Sequence, residues 1–393
     1  MGWAVILLLA IIATPLRLFP QEIAGRQLQA GAQCLAAGHL QCADEALNSV
    51  LRATPGDYRA LDLLGVVRVL QKREADAEDL FTRAVQSKPD FASAHAHLGL
   101  LYLQMGRSGQ AVAELREAVR LDPARTDASD ALIHLWRGEA RSAATSGDLE
   151  KALALLIDAR RLAPNNPDVE FEVGTVALRM SLFEDAAGSF RHTLELRRQD
   201  PPAIYGLGRA LMGLAKFEDA RQQFVRYVAA RPDDPAGHCA LGMTLAALEH
   251  ATEARVQFEK SIALDSTQTE SYYRLGLLDL ASGDFDSASK NLRHALDRDS
   301  RNSGALTALG RVEFGQKRYA EAADLLQRAI ASDNSLGEAH YYLGLTFARM
   351  GRKAESDREL QTAVELEHKT SEKLRTIPII GPTPAAPNAA VNK

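Results

Sequence analysis

The residue types that most often perform chemistry are present in this chain, but their spacing does not form a reactive site. Ten histidines and three cysteines are scattered over 393 residues. His95 and His97 are two residues apart, so on a helix they point in different directions. The sequence has no H-E-x-x-H, no C-x-x-C, no P-loop and no G-x-G-x-x-G after a strand. We therefore expect no enzymatic activity, no metal site and no cofactor.

The elements that would position such residues follow from a glycine that recurs every 34 residues. The recurring glycines are Gly31, Gly65, Gly99, Gly174, Gly208, Gly242, Gly276, Gly310 and Gly344. The series breaks once, at Ala140, which lies 41 residues after Gly99 and 34 before Gly174. Self-similarity at this period indicates an array of small units rather than one globular core. The array leaves no room for a separate catalytic domain.

Other positions of the unit repeat in phase when the glycine is numbered 8. Position 20 is alanine in nine units and Ser356 in the tenth. Position 24 is always a large apolar residue and position 27 is usually small. The position 24 residues are Leu47, Phe81, Leu115, Leu156, Phe190, Phe224, Phe258, Leu292, Leu326 and Leu360. This pattern predicts two amphipathic helices per unit that cross closely at small residues.

The pattern resembles the tetratricopeptide repeat, W-x2-L-G-x2-Y…A-x3-F…P. Trp136 fills the tryptophan position and Tyr102 the tyrosine position. The resemblance implies an all-α, right-handed α-solenoid of ten antiparallel helix pairs. Its units are 24–57, 58–91, 92–132, 133–166, 167–200, 201–234, 235–268, 269–302, 303–336 and 337–368. The third range holds seven extra residues, which we expect to start the next helix early, with Thr126 or Asp127 as its N-cap.

The two ends of the chain differ from the array. Residues 1–23 contain eleven uncharged apolar residues from Trp3 to Ala13, which is the length of the apolar region of a signal peptide. We expect a signal peptide or a short membrane anchor there; the alternative is an extra hydrophobic helix packed on the first repeat. Residues 369–393 are expected to extend the last helix and then form a disordered, proline- and alanine-rich tail.

Composition and this start bound the partners and the location. The net charge of −5 and the pI near 6.1 argue against nucleic-acid binding. We expect an exported bacterial envelope protein, periplasmic or membrane-anchored, and a cytoplasmic one if the N-terminal segment is not a signal. Membrane contact is expected through the N-terminus only. The oligomeric state stays open.

The resemblance also implies where a partner binds. In this family, positions 2, 5, 6, 9, 12 and 13 of each first helix line a concave groove. Arginine and tyrosine anchor protein interfaces most often. The groove residues expected to bind a partner are Arg137, Arg141, Phe171, Arg179, Tyr205, Arg209, Tyr273, Arg274, Arg311 and Tyr341. The alternative is structural, because an arginine here can pair with an acid of the next repeat, and Glu172 is available for that.

Cys34 and Cys42 lie symmetrically about Gly38, where the pattern places the turn between two antiparallel helices. That arrangement brings the cysteines close together, and a disulfide is expected if the chain reaches an oxidising compartment. The alternative is that Cys34 is an ordinary small core residue. Cys239 has no partner in this pattern and is expected to pack in the core or line the groove.

The sequence therefore predicts a non-catalytic scaffold or adaptor that holds a protein or peptide in its groove. A second hypothesis is a recruiting or regulatory subunit of an envelope enzyme or of a secretion or assembly complex, for example in polysaccharide or cytochrome biogenesis. A third is a structural spacer with an empty groove.

Overall fold

The computed structural model describes residues 20–376, with side chains for residues 24–369. The predicted signal or anchor and the tail after Thr376 lie outside the described residues. Twenty α-helices and no strand occur in residues 20–376. The all-α prediction is confirmed. The chain divides between Met180 and Ser181 into two compact units.

The described part of the first unit, residues 20–180, contains nine helices, most of them 13 or 14 residues long. They are α1 Pro20–Ala36, α2 Leu40–Ala53, α3 Tyr58–Leu70, α4 Glu74–Ser87, α5 Ala92–Gln104, α6 Ser108–Leu121, α7 Thr126–Ser146, α8 Leu149–Leu162 and α9 Pro167–Arg179. Each odd-numbered helix from α1 to α7 packs against the helix that follows it.

Residues 181–376, the part of the second unit that the structure describes, contain eleven helices arranged in the same way. They are α10 Phe183–Leu196, α11 Pro201–Gly213, α12 Phe217–Ala230, α13 Pro235–Ala247, α14 Ala251–Leu264, α15 Thr269–Ser282, α16 Phe285–Arg298, α17 Ser303–Gly315, α18 Tyr319–Ser332, α19 Gly337–Arg349 and α20 Lys353–Thr376. From α11 onward each odd-numbered helix pairs with its successor.

The helix crossing explains the recurring glycine. A Cβ atom added at Gly242 would lie 2.7 Å from the Phe258 ring, and one at Gly99 would lie 2.6 Å from Leu115. Phe258 and Leu115 occupy position 24 and are fully buried. Position 8 contacts position 24 of the same repeat. The small residue at position 8 lets the two helix backbones approach, and the large residue at position 24 fills the space beside them.

The turn inside each pair has one backbone requirement. Position 15 of the repeat has a positive φ in all ten repeats, and five of these ten residues are glycine. After Gly147, for example, the amide of Asp148 donates to the carbonyl of Ala143 at 2.9 Å, which is the hydrogen bond of a Schellman ending. The other five are Lys72, Ser181, Ala215, Glu249 and Lys317.

The extra residues of the third range do lengthen the next helix, since α7 runs for 21 residues from Thr126. The predicted N-cap was wrong. Arg125 is the N-cap and makes no side-chain capping bond, although its guanidinium pairs with Asp127. Capping by a side chain is clearer at α9, where Asn166 accepts from the amides of Asp168 and Val169 and Pro167 starts the helix.

Candidate functional site

The first helix of each pair forms a layer that we call the inner layer. In the first unit it comprises α1, α3, α5, α7 and α9, and in the second unit α11, α13, α15, α17 and α19. Within the described part of each unit, successive first helices contact one another from α1 to α7 and from α11 to α19. Second helices of neighbouring pairs make no comparable contact there. The groove residues expected from the sequence lie on this layer.

Arg137 on α7 is held by an acid of the next first helix. Its Nε and Nη2 each lie 2.9 Å from a carboxylate oxygen of Glu172 on α9. Such a bidentate pair is among the strongest side-chain contacts. The hydrogen bonds that Arg137 donates to Glu172 raise the pKa of its guanidinium above its usual value. Arg137 therefore links two helices of the first unit, as the structural alternative expected.

Arg141 and Arg179 are the predicted groove arginines of the first unit that stay available. Both are exposed, and neither makes an ion pair with another described residue. The Nε of Arg141 donates to the carbonyl of Arg137, one turn earlier, at 3.3 Å. Phe171 on α9 is half-buried.

The link between Arg137 and Glu172 has a counterpart two repeats earlier. Nδ1 of His97 on α5 lies 2.7 Å from Oδ1 of Asp62 on α3, and Asp62 is buried. Both links join position 5 of one repeat to position 6 of the next repeat. Two positions that face the groove in this family are thus occupied by contacts between repeats.

The second unit presents its predicted residues differently. Tyr205 on α11 is half-buried between Phe224 and Tyr227, with ring centroids 5.6 and 4.9 Å away. Burial raises the pKa of Tyr205. Arg209, one turn further along α11, is exposed and makes no ion pair within the part of the chain that the structure describes. Of these two predicted contacts, Arg209 is the accessible one.

The remaining predicted residues are on α15, α17 and α19. Arg274 donates to Glu270 at 2.6 Å and stacks over Tyr273. Arg311 donates to Glu338 at 2.7 Å. Both arginines are therefore already paired.

Arg311 also lies over the ring of Tyr342, 5.0 Å from its centroid. Tyr341, the neighbouring residue of α19, is exposed. Tyr341 is therefore the most accessible of the predicted residues on these three helices.

Three histidines share a role that the sequence analysis did not find. His95, His238 and His340 all lie at position 4 of their repeats, and all are buried. His95 Nδ1 lies 2.7 Å from Glu114, and its Nε2 lies 3.0 Å from the carbonyl oxygen of Pro89. Both ring nitrogens face acceptors, which favours the protonated ring. The hydrogen bond to Glu114 raises the pKa of His95.

His238 shows the same geometry with a neutral partner. Its Nδ1 lies 2.8 Å from the side-chain amide of Gln257 and its Nε2 lies 2.9 Å from the carbonyl oxygen of Pro232. These histidines tie the start of a first helix to its second helix and to the preceding loop.

The cysteines behave as a structural pair and a single buried thiol. Cys34 on α1 and Cys42 on α2 are joined by a disulfide, with their Cα atoms 5.8 Å apart. Cys239 on α13 is buried, and burial raises the pKa of its thiol. Between residues 20 and 376 there is no group of three or more potential metal ligands and no helix long and apolar enough to cross a membrane.

Comparison with solved structures identifies the fold. The structure titled APC/C hetero-tetramer Cut9-Hcn1 is 14% identical with a TM-score of 0.50, and the match covers 91% of this chain and 97% of that one. MamA from Desulfovibrio magneticus RS-1 is 21% identical with a TM-score of 0.41, over 44% of this chain and 97% of that one. At these identities the likeness concerns the fold alone.

Sequence comparison identifies the family. Human DnaJ homolog subfamily C member 3 is 26% identical over 139 residues, which span 33% of this chain but only 28% of that protein. Two models described as tetratricopeptide repeat match residues 35–90, 137–202 and 273–336, and residues 68–135 and 177–242. The chain therefore belongs to the tetratricopeptide repeat family, whose members act as protein-interaction scaffolds.

Proposed function

We propose that this protein is a non-catalytic scaffold that holds a segment of a partner protein on the inner layer of its first helices. The observation that carries the proposal is the difference between two sets of arginines. Arg137 and Arg311 are paired with acids of the layer itself, whereas Arg141, Arg179 and Arg209 are exposed without such a partner. Exposed arginine is suited to bidentate pairing with a partner's carboxylates.

Affinity capture from extracts of the native organism tests this proposal. The bait is the full chain as wild type, as Arg141→Ala/Arg179→Ala for the first unit, and as Arg209→Ala for the second. A matched control is Arg52→Ala/Arg191→Ala, because both arginines are exposed on second helices and make no ion pair within the described residues.

The two outcomes separate clearly. A partner that is recovered with wild type and with the control, and lost with an inner-layer variant, supports the proposal. Recovery of the same proteins with every bait contradicts it, because the inner layer would then not be the binding surface. Thermal unfolding of each variant should stay within about 0.5 kcal/mol of wild type, as expected for surface changes.

We also propose that the chain works in an oxidising compartment outside the cytoplasm. The disulfide between Cys34 and Cys42 and the apolar segment from Trp3 to Ala13 support this. Alkylation of free thiols during cell lysis, followed by mass spectrometry, tests it. Two protected cysteines in an envelope fraction agree with the proposal, and three alkylated cysteines in the soluble fraction contradict it.

A further inference from the structure

An apolar row crosses the inner layer of the first unit. It consists of Val66, Val69 and Leu70 on α3 and Leu100 and Leu103 on α5. Four of these side chains are half-buried because they also pack against the core of the first unit, whereas Leu70 keeps 55% of its surface exposed. They occupy positions 9, 12 and 13, which face the groove in this family. One exposed leucine needs no explanation, but five apolar side chains on two neighbouring helices form a patch.

The ionisable side chains beside the apolar row already have partners within the first unit. Arg59 on α3 pairs with Asp57 at 2.9 Å, and Asp62 pairs with His97 at 2.7 Å. Within the described residues, the inner-layer positions of α3 and α5 therefore carry no ionisable side chain without a partner. A partner that binds over these two helices meets an apolar surface whose ionisable groups are already engaged.

The next two first helices carry the opposite character. Arg141 on α7 and Arg179 on α9 are exposed cations without an ion pair among the described residues. Neighbouring packed helices lie about 8–10 Å apart, so these charges are about 10 and 20 Å beyond α5. The inner layer of the first unit thus changes from apolar to cationic in one direction.

We propose that the first unit binds an extended segment of the partner that has apolar side chains at one end and acidic side chains at the other. This inference rests on the proposed function and specifies the partner's chemistry. An extended chain advances about 3.3 Å per residue, so its acidic side chains would follow its apolar ones by about six residues. The apolar end lies on the apolar row, and the acidic end pairs with Arg141 and Arg179.

Synthetic peptides test the proposal without knowledge of the natural partner. The probe is a fluorescein-labelled peptide of about twelve residues with alternating leucines at one end and two aspartates at the other, made in both orders. Comparison peptides carry lysines in place of the aspartates, or serines in place of the leucines. Fluorescence anisotropy with the full chain should show binding of one order of the probe, weakening as salt is raised.

Protein variants assign the two ends of the surface. We expect Leu70→Gln, and separately Arg141→Gln/Arg179→Gln, each to weaken binding roughly fivefold or more. The matched controls are Val256→Gln on α14, where the exposed fraction is 54%, and Arg52→Gln on α2. Both controls should bind as wild type does.

Several results would overturn the inference. Equal binding of the lysine peptide would remove the cationic end, and unchanged binding by Leu70→Gln would remove the apolar end. If no peptide binds while affinity capture still returns a partner that the arginine variant loses, this inference fails and the proposed function stands. If neither experiment shows binding, both fail.

Discussion

Asp279 on α15 is a fully buried carboxylate, and we predict that the second unit depends on the single arginine that neutralises it. Nη2 of Arg255 on α14 donates to Oδ1, and Nδ2 of Asn291 on α16 donates to Oδ2 at 2.7 Å. The carboxylate thereby joins three helices. Because Tyr273 and Arg274 are on the same helix, the contact also holds part of the inner layer in place.

The magnitude follows from burial and from what remains after the change. Removing one partner of a buried ion pair costs about 3–5 kcal/mol, since a charge stays behind without compensation. Here Asn291 still donates, and the Arg255 side chain is 37% exposed, so water replaces part of the lost contact. We therefore expect Arg255→Met, which keeps an apolar chain of similar length, to lower the free energy of unfolding by about 2 kcal/mol.

Glu313 on α17 supplies a matched comparison in the same unit. This buried carboxylate accepts from Arg293 at 3.1 Å and also from Arg318. Arg293→Met leaves Arg318 in place, and the Arg293 side chain is 61% exposed. The expected loss is under about 0.5 kcal/mol, in the range of surface ion pairs.

Urea unfolding followed by circular dichroism compares the variants. The double variant Arg255→Met/Asp279→Asn should be more stable than Arg255→Met alone, because an amide carries no charge that needs a cation. An equal loss for Arg255→Met and Arg293→Met would refute the reasoning. So would a double variant no more stable than the single one.

Three further predictions concern contacts that recur along the array. His95 has a folded pKa above its ordinary 6.5, so its contribution to stability is full below that pH and is lost as pH rises through the folded value. Glu114→Gln should flatten this pH dependence of the urea midpoint, and an unchanged slope would count against the pair. Ala215→Gly should raise the free energy of unfolding by about 0.5–1 kcal/mol, and with it the thermal midpoint, because Ala215 has a φ of 56°. A lower midpoint would show that the turn is not strained. Gly242→Ala should lower the free energy of unfolding by about 1–3 kcal/mol, because its Cβ would meet the fully buried Phe258 ring, and a loss near zero in urea unfolding would mean that the crossing can open.

The repeat was predictable because the residues that determine its helix crossing contact each other within one repeat. Position 8 meets position 24 sixteen residues later, as at Gly65 and Phe81, so glycine and a large residue must recur together. The turn was less predictable. Lys72 and Glu249 take the left-handed conformation that other units give to glycine, because the helix pair imposes it over the local preference.

The contacts between neighbouring repeats were harder to predict from the sequence. Asp62 and His97 are separated by 35 residues, and neither residue type recurs at those positions in other units. The buried histidines were missed for a related reason. His95 is hydrogen-bonded to a main-chain carbonyl, and any residue type can supply that carbonyl. Its side-chain partner Glu114 is replaced by glutamine in the repeat that contains His238.

The function we propose gives the inner layer a second purpose beside joining the repeats. In the first unit, positions 5 and 6 join neighbouring repeats through Asp62, His97, Arg137 and Glu172, so these side chains are not available to a partner. At positions 9 and 13, Leu70, Arg141 and Arg179 are exposed, whereas Gln104 at position 13 donates to Glu74 of the preceding repeat at 2.7 Å. Under the function we propose, changes at Leu70, Arg141 and Arg179 should alter partner choice while the fold stays intact. A partner that depended on positions 5 and 6 would instead compete with the contacts that hold the repeats together.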